Sequence, residues 1–133
     1  MFLAGEKIYH QAGYCVTCHQ ADGRCLPDAG FPPLVGTQWV MGDGERLIKI
    51  VLNGLMGPIE VNGKQYPGHA PMTPYAGLLD DRGIAAVLTF VRNAFGNSAG
   101  AISPEMVKAV RAKTADKVGF YSPAELLLMH PDK

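Results

Sequence analysis

Residues 13–23 read GYCVTCHQADG, which places two cysteines three positions apart and a histidine directly after the second. Residues of these types in this order serve three kinds of chemistry in proteins. A dithiol exchanges electrons with disulfides, a cysteine and histidine cluster holds zinc, and the order C-x-x-C-H attaches haem to the chain. The choice among these three decides both the fold and the function.

The remainder of the chain favours haem attachment. A redox C-x-x-C begins a helix after a strand of an α/β fold, and no βαβ pattern is present. A zinc site needs four ligands, and the usual second pair is missing beyond Cys15, Cys18, His19 and Cys25. For haem, the thiols of Cys15 and Cys18 bond to the two vinyl groups of one porphyrin, and His19 ligates the iron. We therefore predict one covalent haem c.

The length and composition of the chain predict one globular domain with an appendage. The chain has 133 residues, of which 47% are hydrophobic and 18% charged, a balance typical of a folded protein. Basic and acidic residues number 12 each, so no net field attracts nucleic acid or anionic lipid. No apolar run approaches the ~20 residues of a membrane span. The start, MFLAGEK, lacks the features of a secretory signal, so we expect a mature form or an excised domain.

Hydrophobic periodicity and capping signals predict an all-α protein. Helices are expected over residues 3–12, over 44–54 with Asp43 as N-cap, and over 82–96 with Asp80 or Asp81 as N-cap. Two further helices are expected to begin at Ser103 and Ser122, each followed by proline. The segment EVNGKQ is typical of a small hairpin, because Asn-Gly suits a type I′ turn. We divide the chain into a main domain, residues 1–97, and a helical extension or linker, residues 98–133.

Two long loops rich in glycine and proline, residues 22–37 and 57–77, separate the helices. Loops of that length in a small domain need a surface on which to pack, and a large apolar cofactor supplies such a surface.

The second axial ligand of the iron separates electron transfer from gas or peroxide chemistry. Met72 is the favoured ligand, because Pro71 and Pro74 restrict the backbone on both sides of it. His69 and Met56 are the rival ligands, and an open site is the remaining alternative. The other methionines are interpreted as residues that fill gaps in the core.

With these residues in view, the chain resembles the class I c-type cytochromes, in particular small bacterial mono-haem domains. The resemblance covers about residues 3–97. It implies the cytochrome c fold, with three to four helices around one haem and Met72 as the distal ligand. It rests on Gly57, Pro58, Ile59, Val61, Gly63, Tyr66, Gly68, Met72, Pro74 and Tyr75, and on the sequence LLDDRGIAAVLTFVRNAFGN.

The resemblance also implies roles around the haem. The carbonyl of Pro32 or Pro33, with Pro33 preferred, is expected to accept the ring N–H of His19. Apart from the resemblance, the donor groups of Trp39 and Tyr66 suit hydrogen bonds to the haem propionates, with plain core packing as an equally favoured alternative for either residue.

Other side chains receive structural interpretations. Arg46 and Lys49 are expected on a solvated helix face, with an approach to the propionates as the alternative. His130 is expected in solvent. The resemblance implies that the first and last core helices cross closely, with Gly5 allowing the backbones to approach and Tyr9 meeting Val87 and Phe90.

The predicted function is one-electron transfer, as a carrier or as a fused domain of a respiratory or dehydrogenase system, and not an enzyme. The alternative is a haem enzyme or gas sensor with a labile sixth ligand. Expected partners are a dehydrogenase, an oxidase or another cytochrome. Haem attachment of this type takes place outside the cytoplasm, which implies a periplasmic or outward-facing location. A monomer is expected, with a dimer through Cys25 or the extension as the alternative.

Overall fold

The computed structural model describes residues 2–10, 34–66, 72, 74–117 and 119–130, with only the backbone of residues 2 and 3. Within these residues the chain forms six helices and one antiparallel two-stranded sheet. The helices are α1 (Phe2–Tyr9), α2 (Gln38–Met41), α3 (Gly44–Asn53), α4 (Asp81–Asn93), α5 (Pro104–Lys113) and α6 (Pro123–Met129). The strands are β1 (Ile59–Val61) and β2 (Lys64–Tyr66).

The helix caps follow the predicted chemistry. Asp43 accepts hydrogen bonds from the N–H groups at the start of α3, and Asp80 does the same for α4. Ser103 caps α5, and Ser122 forms a reciprocal capping box with Glu125 at the start of α6. These side chains satisfy backbone donors that have no partner within the helix. α4 ends at Asn93, before the predicted Gly96, because Phe95 and Gly96 adopt positive φ angles of 58° and 83°.

α1 and α4 cross closely, as expected. A Cβ at Gly5 would overlap the carbonyl oxygen of Ala86 and would lie 2.8 Å from the Cβ of Phe90. Beside this crossing the Tyr9 ring packs against Phe90 and Phe95, with ring centroids 5.3 and 5.4 Å apart. Glycine is therefore needed at this position, because the two backbones leave no room for a side chain.

The hairpin is also confirmed. β1 and β2 pair with Ile59 opposite Tyr66, and Asn62 and Gly63 both have positive φ, 53° and 82°. Two successive positive φ angles are the mark of a type I′ turn. Ile59, Val61 and Tyr66 are buried together, and this pairing fixes the hairpin beside Trp39.

The extension packs on the same core as the helices before it. Ile102, Val107 and Val110 are buried among residues of α3 and α4. The hydroxyl of Thr89 on α4 donates to the carbonyl of Ile102 at 3.1 Å and accepts its N–H at 3.0 Å. The division at residue 97 stays a prediction.

The face of α3 that carries Arg46 and Lys49 differs from the prediction. Arg46 and Lys49 are 1% and 8% exposed, so the expectation of a solvated helix face is wrong. The physical reason is α6, which lies over this face and buries Leu126 against Ile50. Among the described helices none is both long enough and apolar enough to cross a bilayer.

Candidate functional site

An apolar cavity lies between α3, α4, the hairpin and the segment that contains Met72. It holds about 810 Å³ of space not filled by protein atoms, part of which is open to solvent. Except for Thr37, every described side chain of the lining is apolar or aromatic. The helices contribute Leu47, Ile50 and Val51 from α3, and Val87, Leu88 and Val91 from α4.

Met72 is partly buried and lines this cavity. Its N–H donates to the carbonyl of Leu55 at 2.8 Å, and the N–H of Leu55 donates back to the carbonyl of Met72 at 3.4 Å. Three residues later the N–H of Tyr75 donates to Val51 at 2.8 Å, and that of Ala76 to Leu52 at 3.2 Å. The carbonyls of Val51 and Leu52 lie in the last turn of α3, where carbonyl groups lack an N–H partner within the helix. The end of α3 therefore carries the segment that presents Met72.

Gly54, which ends α3, fits closely against this segment. Its φ is 81° and its ψ is 173°, a backbone region open almost only to glycine. A Cβ at this position would overlap the carbonyl oxygen of Met72 and would lie 2.6 Å from the ring of Phe120. The sequence predicts Gly54 only as a helix stop. Its contact with the Met72 backbone depends on residues far along the chain, so no local signal reveals it.

Trp39 contributes one wall of the cavity with its ring. The indole N–H donates to the carbonyl of Glu60 in β1 at 2.9 Å, and the guanidinium of Arg46 lies 4.4 Å from the ring centroid. Trp39 thus joins the cavity wall to the hairpin. Its expected hydrogen bond to a propionate stays a prediction, and the carbonyl of Glu60 competes for the same N–H.

Tyr66 lies in the hairpin cluster rather than in the described wall of the cavity. It is buried with Ile59 and Val61, and the ammonium of Lys64 lies 5.3 Å from its ring centroid. This arrangement favours the packing interpretation, and the propionate role stays a prediction. The rival ligand Met56 is 50% exposed and does not belong to the described lining.

The attachment residues are outside the described part of the chain, and so is one rival ligand. The expected roles that fall there, and that stay predictions, belong to Cys15, Cys18, His19, Pro33, His69 and Cys25.

Asn97 fixes the backbone that follows Pro33. Its side-chain amide donates to the carbonyls of Leu34 and Val91, both at 3.1 Å, and its oxygen accepts the N–H of Gly36 at 2.8 Å. Leu34 lines the cavity. No local sequence signal marks Asn97, because two of these partners, Gly36 and Leu34, lie 61 and 63 residues away.

A charged cluster lies on the α6 side of α3. The ring of His130 lies 3.1 Å from Asp43 through Nδ1 and 2.9 Å from the ammonium of Lys49 through Nε2. The expectation that His130 is solvated is therefore wrong, since its side chain is 11% exposed. Burial raises the pKa of Asp43. Hydrogen bonds from the backbone N–H groups of Arg46 and Glu45, together with the charge of His130, lower it by more. The pKa of Asp43 therefore lies below its usual value.

The sequence profile of the family described as Cytochrome c matches residues 2–95, which is more than half of the chain. This chain belongs to the cytochrome c family. A cytochrome c-552 of Thermus thermophilus is 41% identical over 118 residues, which cover 86% of this chain and 80% of the relative.

Two further relatives are longer proteins. The fructose dehydrogenase cytochrome subunit of Gluconobacter japonicus is 31% identical over 128 residues, 94% of this chain and 26% of that subunit. The cytochrome c subunit of a quinone alcohol dehydrogenase of Gluconobacter oxydans is 28% identical over 115 residues, 84% of this chain and 23% of that subunit.

Membership of this family confirms the predicted cytochrome c fold, the covalent haem c and the function of electron transfer. The chain is an electron-transfer domain of the cytochrome c family. The described residues fit the cofactor, because a porphyrin presents broad apolar faces and the cavity has apolar walls with a thioether side chain at one side.

Proposed function

We propose that this cytochrome transfers single electrons with His19 and Met72 as the axial ligands of a haem held by Cys15 and Cys18. When bound, the haem supplies an iron that alternates between its ferrous and ferric states. The observation that carries the proposal is the position of Met72, which lines the apolar cavity on a backbone hydrogen-bonded to Leu55.

The residues of the cavity favour electron transfer in two ways. A neutral thioether at Met72 stabilises the ferrous state relative to the ferric state and so raises the reduction potential. The apolar side chains of α3 and α4 exclude water, which makes the additional positive charge of the ferric state more costly. The hydrogen bonds that hold the Met72 segment on α3 restrict the movement of its backbone, so Met72 would hold the iron with little rearrangement on gain or loss of an electron.

The relatives support a proposal for the partner. Two of them are cytochrome subunits of dehydrogenases. We infer that this chain accepts electrons from a dehydrogenase and passes them to an oxidase or another cytochrome, in a periplasmic or outward-facing location. With equal numbers of acidic and basic residues, long-range steering is weak, so the transfer rate should change little with added salt. A steep fall of the rate with salt would contradict docking of this kind.

The ligand assignment is tested by the visible spectrum of protein made with c-haem maturation. The ferric wild type should show the weak far-red band of a sulfur–iron bond, and Met72→Ala should lose it while keeping the covalent haem. Met56→Leu is the matched control, because Met56 is an exposed methionine, and its spectrum should equal that of wild type. A far-red band that persists in Met72→Ala would refute Met72 as the ligand.

A further inference from the structure

The turn that follows Met72 is bound to the extension by one side chain. Arg111 on α5 donates through Nη1 to the carbonyl of Ala76 at 2.7 Å and through Nη2 to the carbonyl of Leu79 at 3.0 Å. Its Nε donates to the carboxylate of Asp81, in the first turn of α4, at 2.8 Å. A single guanidinium therefore joins the end of the Met72 segment to the start of α4.

Arginine suits this position for a geometric reason. Its donors form a rigid planar fork, so one side chain can bind two carbonyls and a carboxylate whose relative positions are thereby fixed. The side chains of Arg111 and Asp81 are 33% and 31% exposed, so their ion pair is partly shielded from solvent. Hydrogen bonds made by a charged donor are also stronger than those between neutral groups.

The helix that carries Arg111 is itself firmly placed. Val107 and Val110, which precede Arg111 on α5, are 0% and 4% exposed in the core. Ser103 caps the helix, and the exchange of hydrogen bonds between Thr89 and Ile102 fixes the chain just before it. The guanidinium therefore extends from a rigid support, which is what a positioning group requires.

The Met72 segment is consequently held at both ends. At Met72 the backbone pairs with Leu55, which in turn lies beside Tyr121 of the extension. At residues 76–79 the segment is held by Arg111. One route by which the thioether leaves its place in the cavity wall is movement of the segment away from α3. Arg111 adds to the hydrogen bonds by which Met72, Tyr75 and Ala76 already hold the segment on α3 and Leu55. With this additional support the segment opens less often.

We propose that Arg111 is a positioning residue that keeps the Met72 segment closed on α3 and so maintains the axial ligation of the haem. The inference rests on the proposed role of Met72 as ligand. Arg111 belongs neither to the described lining of the cavity nor to the proposed ligands; it acts through the carbonyls of Ala76 and Leu79. Loss of its hydrogen bonds should raise the population of the opened segment about tenfold.

Imidazole binding to the ferric holoprotein tests this proposal. Imidazole competes with the thioether for iron, so its apparent affinity rises with the fraction of protein whose segment is open. We expect Arg111→Gln to bind imidazole about tenfold more tightly than wild type and to lose its far-red band at lower imidazole concentrations. Arg111→Lys keeps the charge without the fork, so it should be intermediate.

Lys113→Gln is the matched control. Lys113 lies on the same helix and pairs with Glu45 at 2.8 Å, so this variant removes the same charge without touching the segment. It should bind imidazole as wild type does. Equal affinities for Arg111→Gln and Lys113→Gln would overturn the role of Arg111. Absence of the far-red band in wild type would instead overturn the ligation by Met72 on which the inference rests. If Arg111→Gln does not fold, wild-type affinity in Arg111→Lys overturns the proposal.

Discussion

Replacing Gly54 by alanine tests how tightly the end of α3 fits the Met72 segment. The backbone conformation at Gly54, with φ 81° and ψ 173°, costs a residue with a side chain about 1–3 kcal/mol. The new Cβ also overlaps the carbonyl of Met72 and approaches the ring of Phe120 to 2.6 Å. Such overpacking adds about 1–3 kcal/mol. We expect Gly54→Ala to lower the free energy of unfolding by about 4 kcal/mol in total.

Gly63→Ala is the comparison in which a glycine of positive φ is replaced without a steric clash. Gly63 has nearly the same φ, 82°, but a Cβ there would meet nothing within 4 Å. This variant should lose only about 1 kcal/mol, the cost of a left-handed backbone for alanine. In thermal unfolding followed by circular dichroism, the two losses correspond to roughly 14 °C and 4 °C for a chain of this length.

The far-red band provides a second readout of the same contact. Gly54→Ala should weaken the band at temperatures well below unfolding, because the Met72 carbonyl has to move away from the new methyl group. Gly63→Ala should leave the band unchanged. Equal losses of stability in the two variants, with the band intact in both, would refute the reasoning that the Met72 backbone is seated on Gly54.

Two further predictions concern the charged cluster and the first loop. Asp43→Ala should lower the free energy of unfolding by about 1 kcal/mol at neutral pH through loss of the helix cap. The folded state lowers the pKa of Asp43. The stability that its ionised carboxylate contributes is therefore complete above the ordinary pKa of an aspartate. It is lost as the pH falls through the pKa of the folded state. The difference between variant and wild type in urea unfolding should therefore be smaller in acid than at neutral pH; a constant difference would argue against the ionised carboxylate. Asn97→Ala should lower the free energy of unfolding by about 2–3 kcal/mol, because it leaves backbone groups of Gly36, Leu34 and Val91 without their partner. Asn93→Ala is the comparison: it removes an amide bonded to Thr89 in its own helix and should cost less in the same assay.

The parts of the fold that sequence predicts well are those whose signals lie within a few residues of one another. Asp43, Asp80, Ser103 and Ser122 cap helices because a side-chain oxygen can reach an N–H two or three positions later. The Asn-Gly hairpin depends on two backbone conformations that glycine and asparagine tolerate. Each of these devices works without help from the rest of the chain, so each can be predicted from sequence alone.

The burial of α3 shows what local patterns cannot provide. The charges of Arg46 and Lys49 predict a solvated helix face. In the structure α6 lies over that face, and the two side chains reach the carbonyl and the ring of His130. These partners are more than 80 residues away in sequence. The same kind of separation explains why local patterns reveal neither the surroundings of His130 nor the hydrogen bonds of Asn97.

Met72 stands out in the sequence because its constraint is also local, a methionine between two prolines. What the sequence does not contain is how that short segment is held. The structure shows that α3 has three tasks at once: it lines the cavity with Leu47, Ile50 and Val51, carries the Met72 segment on its last carbonyls, and lies beneath the extension on its charged face. Because one helix joins these surfaces, a displacement of the extension should reach the ligand segment directly. The extension packs on the same helix that carries the Met72 segment, so we expect its removal to loosen that segment.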